Sequence, residues 1–322
     1  MKKISGCIAG VAAALTLVGF SATAQNYPEK NIWYWQAFPA GGESDISARH
    51  QQIVFKKKHH NVEMIIQYKP GAGGGLLWSQ MNNTSMYSAD GYNVFGINLP
   101  HIVLQPLEGI VQYKTEDVNP AYWYHYTPDA LIVSEKGPYK TIQDFIKAAK
   151  AEPGKLTLAG SGTNSANHVA HERLNTEAGI KTSYVPFKGT GDLTTAVLGM
   201  HVTGAMSYSA FAMAQKGKVR PLAIAMEQRH PAFPNVPTFK ELGYNWVDGA
   251  YRGVGVPKTA TPEVRKRVAD LWAALNHDPE MAKLAAQAGF ELVDVGPDKM
   301  NAFMAERTKA YMAGARRLGL AK

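Results

Sequence analysis

Cysteine is nearly missing from these 322 residues: Cys7 stands alone, which excludes a disulfide framework and every cluster of thiolate metal ligands. Long apolar runs are scarce as well. The one of note, over residues 8–20, follows Lys2 and Lys3 and precedes Ala22-Thr23-Ala24. That order of basic, apolar and small residues is a secretory signal peptide over 1–24, with Gln25 as the first mature residue. The run is shorter than the roughly 20 residues of a membrane span, and Cys7 precedes it, which excludes a lipoprotein anchor. The mature chain is therefore expected in the periplasm, free of cysteine and held together by its core.

The motifs of nucleotide and catalytic chemistry are absent too. Lys69-Pro70-Gly71-Ala72-Gly73-Gly74-Gly75 lies between a predicted strand and a predicted helix, but no Gly-Lys-Ser/Thr follows it. Counting from Gly71 and Gly73 puts Leu76 where a dinucleotide fingerprint needs its third glycine, so a tight turn with close helix–sheet packing is the plainer reading. No Gly-x-Ser-x-Gly elbow surrounds Ser161, and no His-Glu-x-x-His occurs. His168 and His171 lie three apart on one predicted helix, half of a metal site at most. The competing reading they carry is an exported α/β metal-binding protein or enzyme. No cofactor, no metal and no catalytic residue is expected.

Charge is modest at 19%, with a formal net value of +8. The densest basic run, Lys56-Lys57-Lys58-His59-His60, reads as a solvated helix end. With no basic stripe and no recognisable module, nucleic acid is not an expected partner. A basic surface does favour encounters with anionic solutes.

What is present is a repeated βα rhythm. Strands are predicted over 31–37, 62–68 and 92–97, then over 130–134, 156–159, 182–186, 201–206 and 219–226, with helices between most of them. An α/β fold with largely parallel sheets follows. Residues 98–119 are irregular. A strand over 251–256 and helices over 261–276, 279–287 and 299–316 complete the chain, Thr261 and Pro262 marking a helix start. Two lobes result, 25–122 with 251–322 and 123–250, and a cleft between them is the natural small-molecule site.

Two loops stand out. Phe38-Pro39-Ala40-Gly41-Gly42-Glu43-Ser44-Asp45 and Ala159-Gly160-Ser161-Gly162-Thr163-Asn164 each join a predicted strand to a helix N-terminus. Unpaired N–H groups and the positive end of a helix dipole suit an anion there. The expectation is that both loops face one cleft and hold a carboxylate between them, with Asp45 more suited to shaping its loop than to touching the ligand.

These residues resemble a known family along nearly the whole mature chain. The matching motifs begin with Tyr27-Pro28, Phe38-Pro39-Ala40-Gly41-Gly42 with Asp45 and Ala48-Arg49, Pro70-Gly71-Ala72-Gly73-Gly74 and Ala89-Asp90-Gly91-Tyr92. They continue with Pro153-Gly154-Lys155-Leu156, Gly160-Ser161-Gly162 with His168, and Val185-Pro186-Phe187-Lys188-Gly189. Gly217-Lys218-Val219-Arg220-Pro221-Leu222-Ala223 and Pro234-Asn235-Val236-Pro237-Thr238 complete the set. The pattern is similar to the Bug, or TctC-type, substrate-binding proteins of tripartite tricarboxylate transporters.

That resemblance implies a two-lobe periplasmic-binding-protein fold, no enzymatic activity, and delivery of a carboxylated solute to membrane permease subunits by a monomer. A sensing role beside a membrane kinase uses the same binding chemistry. By the match, Phe38, Ala40, Gly41, Gly42, Asp45, Ser161, Gly162, Thr163, Asn164, His168 and Lys188 are the expected ligand-binding residues. Ser207-Tyr208 replaces the Asp-Asn that many members carry, which argues against an amino acid as ligand. Trp78, after the glycine loop, and Tyr208 are expected either to line an aromatic or longer apolar ligand or, for Trp78, to pack helix on sheet. Asn98, in Asn98-Leu99-Pro100-His101, and Arg252 are placed for a second carboxylate. Di-, tri- and aromatic carboxylates all remain open.

Overall fold

The computed structural model describes residues 27–109, 111–317, 319 and 321; the segment read as a signal peptide lies outside them. The chain begins with β1 (Ile32–Gln36), α1 (Glu43–Lys58), β2 (Met64–Tyr68), α2 (Gly75–Gln80), β3 (Asn93–Leu99) and the single turn α3 (His101–Leu104). A long strand, β4 (Asn119–Ser134), leads into α4 (Ile142–Ala151), β5 (Thr157–Ser161), α5 (Ala166–Ala178), β6 (Ser183–Phe187), α6 (Thr190–Leu198), β7 (Gly204–Tyr208), α7 (Ser209–Ala214) and β8 (Val219–Ile224). Then come β9 (Gly249–Val256), α8 (Pro262–Asn276), α9 (Pro279–Ala288), β10 (Glu291–Val295) and α10 (Pro297–Arg317).

The strands form two sheet regions that share β4. The first runs β2-β1-β3-β9-β4-β10, and the second runs β8-β4-β7-β5-β6. β4 pairs antiparallel with β9 from Asn119 to Pro128, then with β7 from Asp129 to Val133. The expectation of largely parallel sheets holds for β1–β3 and β5–β7, whereas β4, β8, β9 and β10 run antiparallel to their neighbours.

Each region is covered on both faces, which is why β4 reads as a nearly unbroken buried run. In the first, Tyr34, Phe55, Val254 and Trp272 build one core layer and Phe95, Ile97, Trp123 and Tyr311 another. In the second, Phe145, Leu158, Leu174 and Trp246 oppose Ile132, Leu193, Val197 and Phe211 on the other face. Helix starts follow local chemistry. Thr141 and Asp144 form a reciprocal capping box at α4, and Thr261 caps α8 ahead of Pro262. The fold is α/β, with two lobes and a cleft between them.

Three local expectations change. The strand expected over 130–134 begins eleven residues earlier, at Asn119, because β9 pairs along residues 119–128. Glu291–Val295 is a strand, β10, laid on β4. Residues 238–242, helix-like in sequence, instead form a lone bridge from Thr238 to Ile224 followed by turns. We propose that the lobes divide at Pro128/Asp129 and at Asp248/Gly249, where β4 exchanges β9 for β7, rather than at residue 122. Gly249 suits this crossing, since a Cβ there would lie 2.0 Å from the Thr127 carbonyl oxygen.

Candidate functional site

The first loop leaves the end of β1 and enters α1 with Gly42 as the capping residue. Gly41 takes φ +78°, a left-handed conformation that favours glycine. Asp45, 2% exposed, organises the turn. Its Oδ2 accepts from Gly41 N–H at 2.8 Å and from Arg49 Nε at 3.0 Å, while Oδ1 accepts from the Tyr68 hydroxyl. The Gly41 N–H is therefore spent on Asp45, and the N–H groups left for an anion are those of the first α1 turn. Replacing Asp45 by alanine is expected to cost about 1–3 kcal/mol, the penalty for stranding buried polar partners. A denaturant midpoint unchanged from the native protein would refute this role.

The second loop follows β5. Ser161 is 4% exposed, and both its N–H and its Oγ donate to Asn167 Oδ1, at 2.9 and 2.7 Å. Ser165 caps α5 by accepting from His168 N–H. Gly162 and Thr163 face the other lobe: Gln105 Nε2 donates to the Thr163 carbonyl at 2.8 Å, and a Cβ at Gly162 would lie 3.3 Å from Gly73 Cα. Elsewhere a Cβ at Gly189 would meet Pro39 Cδ at 3.2 Å, and Ser209 Oγ donates to the Gly289 carbonyl at 3.0 Å. The lobes are closed on each other.

Between them lies a small cavity of about 20 Å³. Phe38, Pro39, Gly42, Glu43 and Ser44 line it from the first loop, and Asn98, His101 and Arg252 from β3, α3 and β9. The second lobe contributes Ser161, Tyr208 and the start of α6, Gly189-Thr190-Gly191. Two helix N-termini thus face one space, and they belong to α1 and α6. A Cβ at Gly191 would sit 3.7 Å from Gly42 N, so the two ends are in near contact.

Glu43 and Arg252 form a buried ion pair at this cavity, Arg252 Nη2 to Glu43 Oε1 at 3.0 Å, with side chains 3% and 5% exposed. Thr127 Oγ1 also donates to Glu43 Oε1. Arg252 Nε lies 3.1 Å from Ser44 Oγ, and Asn98 is best satisfied with its amide oxygen aimed at Nε, at 2.9 Å. The guanidinium rests 5.2 Å from the Tyr208 ring centre. Burial pushes the Glu43 carboxyl up, against the opposing pull of Arg252 and Thr127. Burial, then Arg252, hold His101 down at about 3, so its imidazole is neutral.

Of the residues expected from sequence, Phe38, Gly42, Asn98, Ser161 and Tyr208 line the cavity. Ala40 and Gly41 do not line it but lie against Gly191, where a Cβ would meet the Ala40 carbonyl oxygen at 3.8 Å, and Gly162, Thr163 and Asn164 lie beside the lobe contact. Trp78 is fully buried, donating from Nε1 to the Gly96 carbonyl at 2.9 Å, behind Phe38 and His101. It packs helix on sheet, and the glycine loop makes room for it: a Cβ at Gly74 would lie 2.4 Å from its ring. Lys188 is exposed and Ser207 is buried without lining the cavity. Glu43 and Ser44 are expected only as members of the first loop and Gly189 only within a matching motif, while Thr190 and Gly191 carry no expected role. Their signal in sequence is only that each begins a helix.

His168 stacks on Tyr184 at 4.4 Å and accepts from Asn164 N–H at 3.2 Å. His171 bonds Thr182 at 2.8 Å and Glu172 at 2.9 Å. Both imidazoles are tied into lobe 2, and no group of three metal-ligating side chains occurs among the described residues. No helix among those residues is long and apolar enough to cross a membrane.

A family model described as the tripartite tricarboxylate transporter family receptor, TctC, matches residues 48–320. The UPF0065 protein in the gbd 5′ region of Cupriavidus necator is 31% identical over 98% of this chain and 97% of that one. The periplasmic binding protein BugD superposes with a TM-score of 0.83 at 23% identity, over 92% of this chain and all of that one (100%). A Rhodopseudomonas palustris protein solved with adipate gives 0.84 at 21% identity, covering 92% and 99%.

Proposed function

The chain belongs to the tripartite tricarboxylate transporter receptor family, and from that premise we propose that it captures a small carboxylate-bearing solute and presents it, as a monomer, to the permease subunits of such a transporter. It is a periplasmic solute-binding protein of that family, whose members bind substrates and are not enzymes. The ligand class is our inference. The observation that carries it is the meeting of the α1 and α6 N-termini, with Ser161, around one small cavity between the lobes. Each helix end offers unpaired N–H groups and about half a positive charge, and together they suit one carboxylate. Adipate in a protein of the same fold supports this class.

Binding works by closure. Pro39 to Gly42 and Gly189 to Gly191 come from different lobes, so a carboxylate held by both favours the closed state over the open one. A thermal-shift screen of short aliphatic and aromatic carboxylic acids tests the class, since a solute that binds only the folded protein raises its apparent stability. Gly191→Asp is the matching variant, because it tethers a carboxylate beside Gly42 where the solute's would sit. The shift seen with any acid in the native protein is expected to vanish in this variant. An undiminished response would remove the two-helix site.

A further inference from the structure

We propose that the inter-lobe site around this small cavity, widened as the lobes part to admit a ligand, takes a solute with one carboxylate and an uncharged hydrogen-bonding end, and that Glu43 sets the preference against a second carboxylate. The inference rests on the carboxylate reading above and goes further, to the other end of the ligand.

The charges decide it. Among the described residues lining the cavity, Glu43 and Arg252 are the only formally charged side chains at neutral pH, and their 3.0 Å contact makes their sum zero. What remains is about half a charge from each of two helix N-termini, enough to balance a single carboxylate. A second carboxylate near Arg252 also meets Glu43, so its attraction to one partner is offset by repulsion from the other at similar range. An ammonium group meets the reverse problem.

The unpaired atoms point the same way. Glu43 Oε2 and Arg252 Nη1 are buried and have no hydrogen-bond partner among the described residues. One is an acceptor and the other a donor, and buried polar atoms are costly to leave unmatched. A primary amide or a hydroxyl both donates and accepts, and so satisfies the pair without adding charge. The ion pair, which occupies the place expected to grip a second acid, instead reads the solute's far end as neutral.

The experiment is isothermal titration with matched sets of three- to six-carbon acids, each as dicarboxylate, monoamide and ω-amino acid, with terephthalate and 4-carbamoylbenzoate as the aromatic pair. In the native protein the monoamide is expected to bind at least tenfold tighter than the dicarboxylate and the amino acid of its length. Glu43→Gln leaves Arg252 uncompensated and is expected to move the ratio at least tenfold towards the dicarboxylate. The native ranking stands without the variant, should Glu43→Gln fold poorly. Tighter binding of dicarboxylates by the native protein overturns this inference and leaves carboxylate capture intact. Failure of every acid to bind overturns both.

Discussion

Arg252→Met is expected to destabilise the protein by about 3–5 kcal/mol, the usual consequence of stranding one member of a buried ion pair. Glu43 would then stand 4% exposed with only Thr127 donating to it. The double variant Glu43→Gln, Arg252→Met removes both charges and is expected to recover most of the loss, because a buried pair contributes less than the penalty for breaking it. Denaturant unfolding of the four proteins forms the cycle, and a double variant no better than Arg252→Met would refute it. The pH dependence has a definite sign. Burial already raises the native Glu43 carboxyl above its ordinary 4.5, and Arg252 opposes that rise. Without Arg252 the native value climbs further, so the folded state holds a proton that the unfolded state has released. Stability is then lost as pH rises from the unfolded value through the raised native one. The deficit of Arg252→Met against the native protein should therefore be largest near neutrality and shrink towards pH 4.5. An equal deficit at both ends would place the cost in lost packing instead.

The sequence made the first loop legible because its signal is local: a strand, paired glycines and a small polar helix start occupy adjacent positions. Asp45 could be read as a loop former for the same reason, since Gly41 and Arg49 lie within one turn of it. The ion pair was out of reach. Glu43 and Arg252 are separated by most of the chain, and a lone glutamate at a helix start reads as ordinary dipole compensation. The place of the α6 start at the cavity was out of reach for a related reason. Ser161 follows a recognisable glycine turn, whereas Gly189-Thr190-Gly191 opens a helix with no capping side chain.

Prolines had a different effect on the fold. In sequence Pro120 reads as punctuation, since proline removes a ladder donor, yet both it and Pro128 lie within β4. In the structure Pro128 stands where β4 leaves β9 and Asp129 begins the pairing with β7, so the missing N–H falls at a break in the ladder. The aromatic run Tyr122-Trp123-Tyr124-His125-Tyr126 before it is plain in sequence but does not read as strand, because both faces of β4 are buried and no alternation survives.

Closure supplies the second large effect. Gly162→Val is expected to weaken solute binding about 100-fold, through the equilibrium between lobes rather than through any ligand contact. Gly162 does not line the cavity, yet a Cβ there would lie 3.3 Å from Gly73 Cα across the cleft, and its γ-methyls would have no room. A penalty of about 2.8 kcal/mol on the closed state alone lowers apparent affinity by that factor, because the competent fraction falls with it. Gly162 also has φ +72°, so valine strains the backbone in either state. Gly154→Val separates the two contributions: Gly154 has φ +81° and nothing within 4 Å of its would-be Cβ. Both variants should lose stability from the left-handed backbone, and only Gly162→Val should lose affinity. Small-angle scattering with saturating solute gives the independent readout, the native protein and Gly154→Val compacting and Gly162→Val remaining extended. Equal affinity losses in the two variants would mean that strain in the lobe, and not the meeting of Gly162 with Gly73, governs binding.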